Sequence, residues 1–313
     1  MRSIIAGTGG YLPARVLTND ELAAAYNLDT SDAWISERTG IRRRHMAAPG
    51  ESTADMAAQA CREALAQAGA EAAEVDAIIL ATATPDSAFP STASRVQEKL
   101  GIHRGFAFDI SAACTGFIYA VGVADSMIRA GACRSALVVG AEAFTRILDW
   151  TDRGTCVLFG DGAGAVLMRA EDGPGERGIL STHLHSDGRH GDILQVEGGM
   201  VRMAGREVFR HAVSKLASAV DEALAANGLA KADVQWLVPH QANLRIIDAM
   251  GRKLGLPAER VVVTVDRHAN TSAASIPLAL AEAVRDGRIE RGDLVVMEAI
   301  GGGLAWGAAL ARF

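Results

Sequence analysis

The 313-residue sequence predicts an α/β fold made by duplication, with two mixed sheets and helices packed between and outside them. Three observations carry this expectation. Short apolar runs such as "VDAIILA" and "SALVVGA" alternate with amphipathic stretches such as "STADMAAQACREALAQAG". Residues 63–83, "EALAQAGAEAAEVDAIILATA", repeat as residues 222–242, "EALAANGLAKADVQWLVPHQA"; both read helix, glycine stop, polar turn and strand. Three further echoes follow in the same order: "EKLGI" with "RKLGL", "ALVVGAE" with "DLVVMEA", and "GAVLMR" with "GAALAR". The offset drifts only from 159 residues (Glu63 to Glu222) to 143 (Gly164 to Gly307), which is the mark of an internal repeat. Finally, the polar, glycine-rich "RAEDGPGERG" separates the copies, giving halves at 1–170 and 171–313.

Within the first half, "TCVLFGDGAGAVLM" reads as a strand, a glycine turn and a second strand. In "DISAACTGFIYAVGVADSMIRAG", Cys114 stands between a short apolar strand and a helix. Pairing Gly131 with Gly287, an offset of 156, sets Cys114 opposite Asn270 and Thr115 opposite Thr271. Approximate two-fold symmetry would bring these two strand-to-helix joints to one cleft. His240 is a third polar point, placed after a strand that Pro239 can end.

Composition narrows the function. A net charge of −6 argues against nucleic acid as a partner, and 49% hydrophobic residues suffice for a sizeable core. Glycines interrupt the start, "MRSIIAGTGGYLP", too early for a signal peptide, and charges or glycines break every apolar run before it reaches membrane-spanning length. Cys61, Cys114, Cys133 and Cys156 form neither a disulfide framework nor a zinc spacing. A reduced, cytoplasmic protein with no membrane contact is expected. "GTGGYLP" lacks dinucleotide-loop spacing, and "THLHSDGRHGD" places His183 and His185 on one strand face without a metal-site pattern.

Cys114, His240 and Asn270 make a coherent nucleophilic set. A helix N-terminus favours a thiolate, and a neighbouring imidazole lowers the thiol pKa or takes its proton. An asparagine amide offers a donor that stays neutral, suited to a developing oxyanion or enolate. Each residue also has a bland reading: a buried small hydrophobe, a loop histidine, a helix cap.

"DISAACTGF", "VPHQANLRI" and "DRHANTSAAS" resemble the three catalytic motifs of the β-ketoacyl-acyl carrier protein synthase III family. "TSDAWISERTGIRRRH", "WTDRGTCVLFGDGAGAV" and "EAIGGGLAWGAAL" extend the resemblance over essentially the whole chain. It implies a thiolase-like, duplicated five-layer α-β-α-β-α fold, usually a homodimer. It also implies a decarboxylative Claisen condensation that starts fatty-acid synthesis. Cys114 takes the acyl group of acetyl-CoA; malonyl-acyl carrier protein then loses carbon dioxide, and the enolate attacks the acyl-cysteine. His240 and Asn270 are the implied enolate donors, and the amides of Cys114 and Gly302 the implied oxyanion hole. No metal or redox cofactor is implied, acetyl-CoA being a substrate.

The resemblance further places Trp34, Arg38 and Arg153 at the nucleotide end of CoA, and Arg245, extended by Arg252 and Lys253, at a carrier-protein docking patch. Phe89 corresponds to a ring that closes the acyl pocket from the partner subunit and favours acetyl primers. Ile300 and Thr115 depart from the residues common at their positions, which bears on pocket dimensions. Relatives with the same triad use other acyl-CoA primers in secondary metabolism. A thiolase would need a second cysteine, and "AIGGGLAWG" has none. A thioesterase or a noncatalytic partner subunit are the remaining alternatives.

Overall fold

The computed structural model describes all 313 residues. The first sheet runs in the order Arg2–Tyr11, Gly162–Glu171, Ser135–Glu142, Ala77–Ala81, Phe106–Ile110. Its first two pairings are antiparallel and its last two parallel. The second sheet repeats this with Gly178–Ser186, Ala305–Arg312, Leu294–Gly301 and Trp236–Pro239, in the same senses. Its fifth strand is reduced to one parallel bridge between Leu237 and Val261.

Sequence explains the elements locally. Ala77–Ala81 reads AIILA with every residue buried, as a parallel strand covered on both faces requires. The Thr53–Ala68 helix starts at a capping box between Ser52 and Asp55 and stops at Gly69 in the left-handed conformation. That helix covers the outer face of the first sheet, and the Gly205–Ala226 helix covers the outer face of the second. The Gly116–Arg129 and Ser275–Arg285 helices lie between the sheets. Helix, sheet, helix, sheet, helix gives the five layers expected.

The structural register corrects two details of the repeat. The Asp76 amide donates to the Ser135 carbonyl, and the Gln235 amide donates to the Leu294 carbonyl. Both equivalences give an offset of 159, so Ala136 matches Val295 rather than Asp293. The catalytic joints follow the same offset. Ala113 and Ser272 hold left-handed φ values of 45° and 49° and open matching 3-10 turns, Ala113–Thr115 and Ser272–Ala274. Cys114 therefore corresponds to Ala273, not to Asn270. The Ser275–Arg285 helix has 11 residues and its counterpart 14, so the offset of 156 holds only at the C-terminal glycines.

"TCVLFGDGAGAVLM" does not form a hairpin. Arg153–Cys156 is a short helix, and Gly162–Glu171 is the only strand in the segment. The turn before that strand is held from outside. Buried Asp161 accepts hydrogen bonds from the amides of Ala47 and Thr145 and from the Thr145 hydroxyl. The Gly160 amide donates to the Asn270 carbonyl and the Asn270 amide to the Leu158 carbonyl. Residues 158–160 thus pair with the other half of the molecule, while the strand that follows pairs within its own half.

Candidate active site

Cys114, His240 and Asn270 line one cavity of about 610 Å³. Each is buried, at 5%, 4% and 6% exposure. They come together because the two inner helices begin at facing joints, while the Trp236–Pro239 strand delivers His240 from the side. Ala113 and Ser272 adopt a conformation unusual for residues with a Cβ, which costs of order 1–3 kcal/mol each.

His240 is held by residues that the sequence reading passed over. Its Nδ1 lies 2.6 Å from the Ser275 hydroxyl, which accepts a hydrogen bond from the Gln241 amide at 3.3 Å. The Ser275 hydrogen is then free to donate to Nδ1, and this network assigns the ring proton to Nε2. Burial pushes the imidazole down to about 3, so it is a neutral donor. The Gln241 side chain donates to the carbonyls of Pro239 and Val262 and accepts from the amides of Thr264 and Val265, fixing the turn.

Asn270 commits its Oδ1 to the Ser272 amide at 2.8 Å. Its Nδ2 is therefore the group left for the cavity. The Cys114 thiol is pushed up to about 12, chiefly by burial, with the neighbouring Glu142 charge adding to the rise and the Ser272 hydroxyl opposing it. Burial thus opposes the pull of the helix N-terminus toward a thiolate. Glu142 was also not anticipated. It is fully buried, held by the Thr84 hydroxyl at 2.6 Å and the Ala83 amide at 3.1 Å, and burial raises it to about 7.

The late glycine loop closes over the nucleophile. A Cβ on Gly301 would fall 2.6 Å from the Cys114 nitrogen, so only glycine allows this approach. The amides of Cys114 and Gly302 take no part in the backbone hydrogen bonding of the loop. Ile300 lines the cavity, whereas Thr115 turns its hydroxyl to the Ala305 carbonyl at 2.8 Å and does not.

At the mouth, the guanidinium carbons of Arg38 and Arg153 lie 4.5 and 4.6 Å from the Trp34 ring centroid. Arg38, Arg206 and Arg245 line the cavity, whereas Arg153 does not and meets it only through the Trp34 ring. Arg245 is exposed, as are Arg252 and Lys253 further along the Leu244–Leu254 helix, but the latter two do not reach the cavity. Phe89 is 87% exposed and also lies outside the cavity of its own chain. Leu194, Met203, Val208 and Phe209 add an apolar wall from residues 194–209, where no periodicity marked them. His183 and His185 do share a strand face, where both meet Glu222, at 3.0 and 2.7 Å. Cys133 and Cys156 are buried elsewhere.

Comparison with known proteins places the fold and the family. Residues 108–188 match the family model for 3-oxoacyl-[acyl-carrier-protein] synthase III, and residues 224–313 match the model for its C-terminal part. The chain is 66% identical to the β-ketoacyl-[acyl-carrier-protein] synthase III of Acidiphilium cryptum, covering 100% of this chain and 99% of that one. It superposes on the crystal structure of the Aquifex aeolicus 3-oxoacyl-[acyl-carrier-protein] synthase III with a TM-score of 0.96 at 48% identity, covering 99% and 100% of the two chains. The priming β-ketosynthase of the R1128 polyketide pathway gives 0.92 at 37% identity, covering 99% and 96%. The chain therefore belongs to the β-ketoacyl-[acyl-carrier-protein] synthase III family of condensing enzymes.

Proposed function

We propose that the protein condenses acetyl-CoA with malonyl-acyl carrier protein through an acyl-Cys114 intermediate, as the first condensation of fatty-acid synthesis. In the first half-reaction, Cys114 sulfur attacks the acetyl thioester, the amides of Cys114 and Gly302 receive the oxyanion, and CoA leaves as the thiol. The Cys114 thiol gives up its proton as the new carbon–sulfur bond forms, and that proton ends on the departing CoA sulfur, so the exchange of thioesters balances. In the second half-reaction, the malonyl thioester loses carbon dioxide and its carbonyl oxygen becomes an enolate. That oxygen sits between the His240 Nε2–H and the Asn270 Nδ2–H. The enolate carbon attacks acyl-Cys114, the carbon–sulfur bond breaks, and acetoacetyl-acyl carrier protein leaves.

One observation carries this reading: a neutral histidine donor and a free amide donor converge beside a buried thiol, with no strong base among them. Enolate formation by loss of carbon dioxide needs donors and no base. A thiolase would instead remove an α-proton with a second cysteine, and neither Cys133 nor Cys156 reaches the cavity.

The remaining roles follow the chemistry of the mouth. Trp34, Arg38 and Arg153 receive the nucleotide end of CoA by stacking and forked hydrogen bonds. Arg245, Arg252 and Lys253 steer the acidic carrier protein. Residues 1–170 supply the nucleophile and 171–313 the enolate donors and glycine loop. Two copies assemble, each lending Phe89 to close the other's acyl pocket beside Ile300.

Separating the half-reactions tests this division. Asn270→Ala is expected to retain acyl-Cys114 formation by mass spectrometry while carbon dioxide release falls roughly 10²–10³-fold, the loss typical of an oxyanion donor. Cys114→Ala is expected to abolish acylation and condensation. Release of labelled carbon dioxide by Asn270→Ala at the parent rate would show the amide to be only structural. Free acetate without condensed product would favour a thioesterase.

A further inference from the structure

A second cavity, of about 440 Å³, is lined by Arg2, Arg129, Arg177 and Arg312. They come from four separate places: the start of the Arg2–Tyr11 strand, the C-terminus of the Gly116–Arg129 helix, the loop before Gly178, and the end of the Ala305–Arg312 strand. None of them lines the cavity that holds Cys114. Only one carboxylate, Glu176, shares the lining; it is 3.8 Å from Arg312 and its side chain is 87% exposed.

The other acids nearby leave guanidinium donors over. Arg2 pairs with Glu171 at 2.5 Å through Nη2, and Arg129 pairs with Asp125 at 2.9 Å through Nε. Arg177 pairs with no Asp or Glu side chain; its Nε donates to a main-chain oxygen of Phe313, the last residue of the sequence, at 3.1 Å. The Nε and Nη1 of Arg2 are buried and have no hydrogen-bond partner at all. Buried donors of this kind are costly unless an acceptor reaches them. The loop is shaped around them as well: a Cβ on Gly175 would collide with the Arg2 guanidinium, so glycine is what lets the chain wrap it. Burial chiefly lowers the Arg177 pKa, with the charges of Arg291 and Arg2 adding to the fall and Glu171 opposing it.

We propose that this arginine-lined cavity binds a diphosphate group, through forked guanidinium donors converging from four elements. Planar guanidiniums match phosphate oxygens two at a time, and several of them favour a multiply charged diphosphate over a single carboxylate. The group can arrive as inorganic pyrophosphate or as the diphosphate of a nucleotide.

Titration calorimetry of the full chain with pyrophosphate, ADP and acetate tests this, on the parent and on Arg177→Ala, Arg177→Glu and Trp34→Ala. Arg177 lies in a surface loop, and thermal unfolding checks that its variants remain folded. The expected result is saturable pyrophosphate binding that weakens roughly tenfold in Arg177→Ala, is lost in Arg177→Glu and is unchanged in Trp34→Ala, with no heat from acetate. Tighter binding of ADP, still lost in Arg177→Glu, identifies a nucleotide as the source; equal or tighter binding of pyrophosphate identifies the free ion. No pyrophosphate binding by the parent, equal binding by folded Arg177→Glu, or loss in Trp34→Ala would overturn the proposal.

Discussion

Ser275 decides which way His240 faces chemically. With its hydroxyl 2.6 Å from Nδ1, the imidazole keeps its proton on Nε2 and can donate to an enolate. Ser275→Ala leaves a buried ring nitrogen unpaired and frees the tautomer. The expected cost is about 1–3 kcal/mol, or roughly 5- to 150-fold in carbon dioxide release, with acyl-enzyme formation less affected. Ser275→Thr, which keeps the hydroxyl, is expected to recover much of the loss. Equal carbon dioxide release by Ser275→Ala and the parent would remove Ser275 from the site. Cys114, His240 and Asn270 were legible in the sequence because each sits in a distinctive local motif. Ser275, Ser272 and Glu142 were not, because a hydroxyl in an alanine-rich turn or an acid at a strand end carries no signal until the fold sets it against a partner.

At the scale of elements, strand and helix types were readable from apolar spacing, and so was the repeat. The register was not. Gly131 and Gly287 are true equivalents, yet a helix shorter by three residues moves the N-terminal joints from an offset of 156 to 159. The missed hairpin has a similar cause, since Asp161 and Gly160 answer to groups far away in sequence. The Leu294–Gly301 strand holds another feature that no local pattern shows. Glu298 is 1% exposed, its Oε2 has no hydrogen-bond partner, and burial raises its pKa from 4.5 to about 8. A carboxyl whose folded pKa is raised binds a proton that the unfolded chain has already released. Its contribution to stability is therefore intact below pH 4.5 and is lost as pH rises through about 8. Glu298→Gln removes this dependence. Between pH 5 and 8 the variant is expected to gain on the parent by several kcal/mol in chemical denaturation, at about 1.36 kcal/mol per pH unit. A stability difference independent of pH would show that Glu298 is charged in the folded protein.

At the scale of the whole molecule, Phe89 and the sheet edge at Phe106–Ile110 are surfaces that one chain does not cover. Pairing of two copies would bring Phe89 to a neighbouring acyl pocket. Phe89→Ala is then expected to raise the use of octanoyl-CoA relative to acetyl-CoA by at least tenfold, since one large ring contributes about 1.5–3 kcal/mol of apolar contact. An unchanged primer ratio would place the ring outside the pocket, and a parent preference for octanoyl-CoA would contradict the acetyl assignment. Nucleophile, extender and reaction class are all read by one experiment. Labelled acetyl-CoA is incubated with malonyl-acyl carrier protein and the parent enzyme, and the carrier-bound product and carbon dioxide are quantified. The expected product is labelled acetoacetyl-acyl carrier protein with one carbon dioxide released per product, both lost in Cys114→Ala. Condensation without carbon dioxide release, or label recovered only as free acetate, would contradict the proposed function.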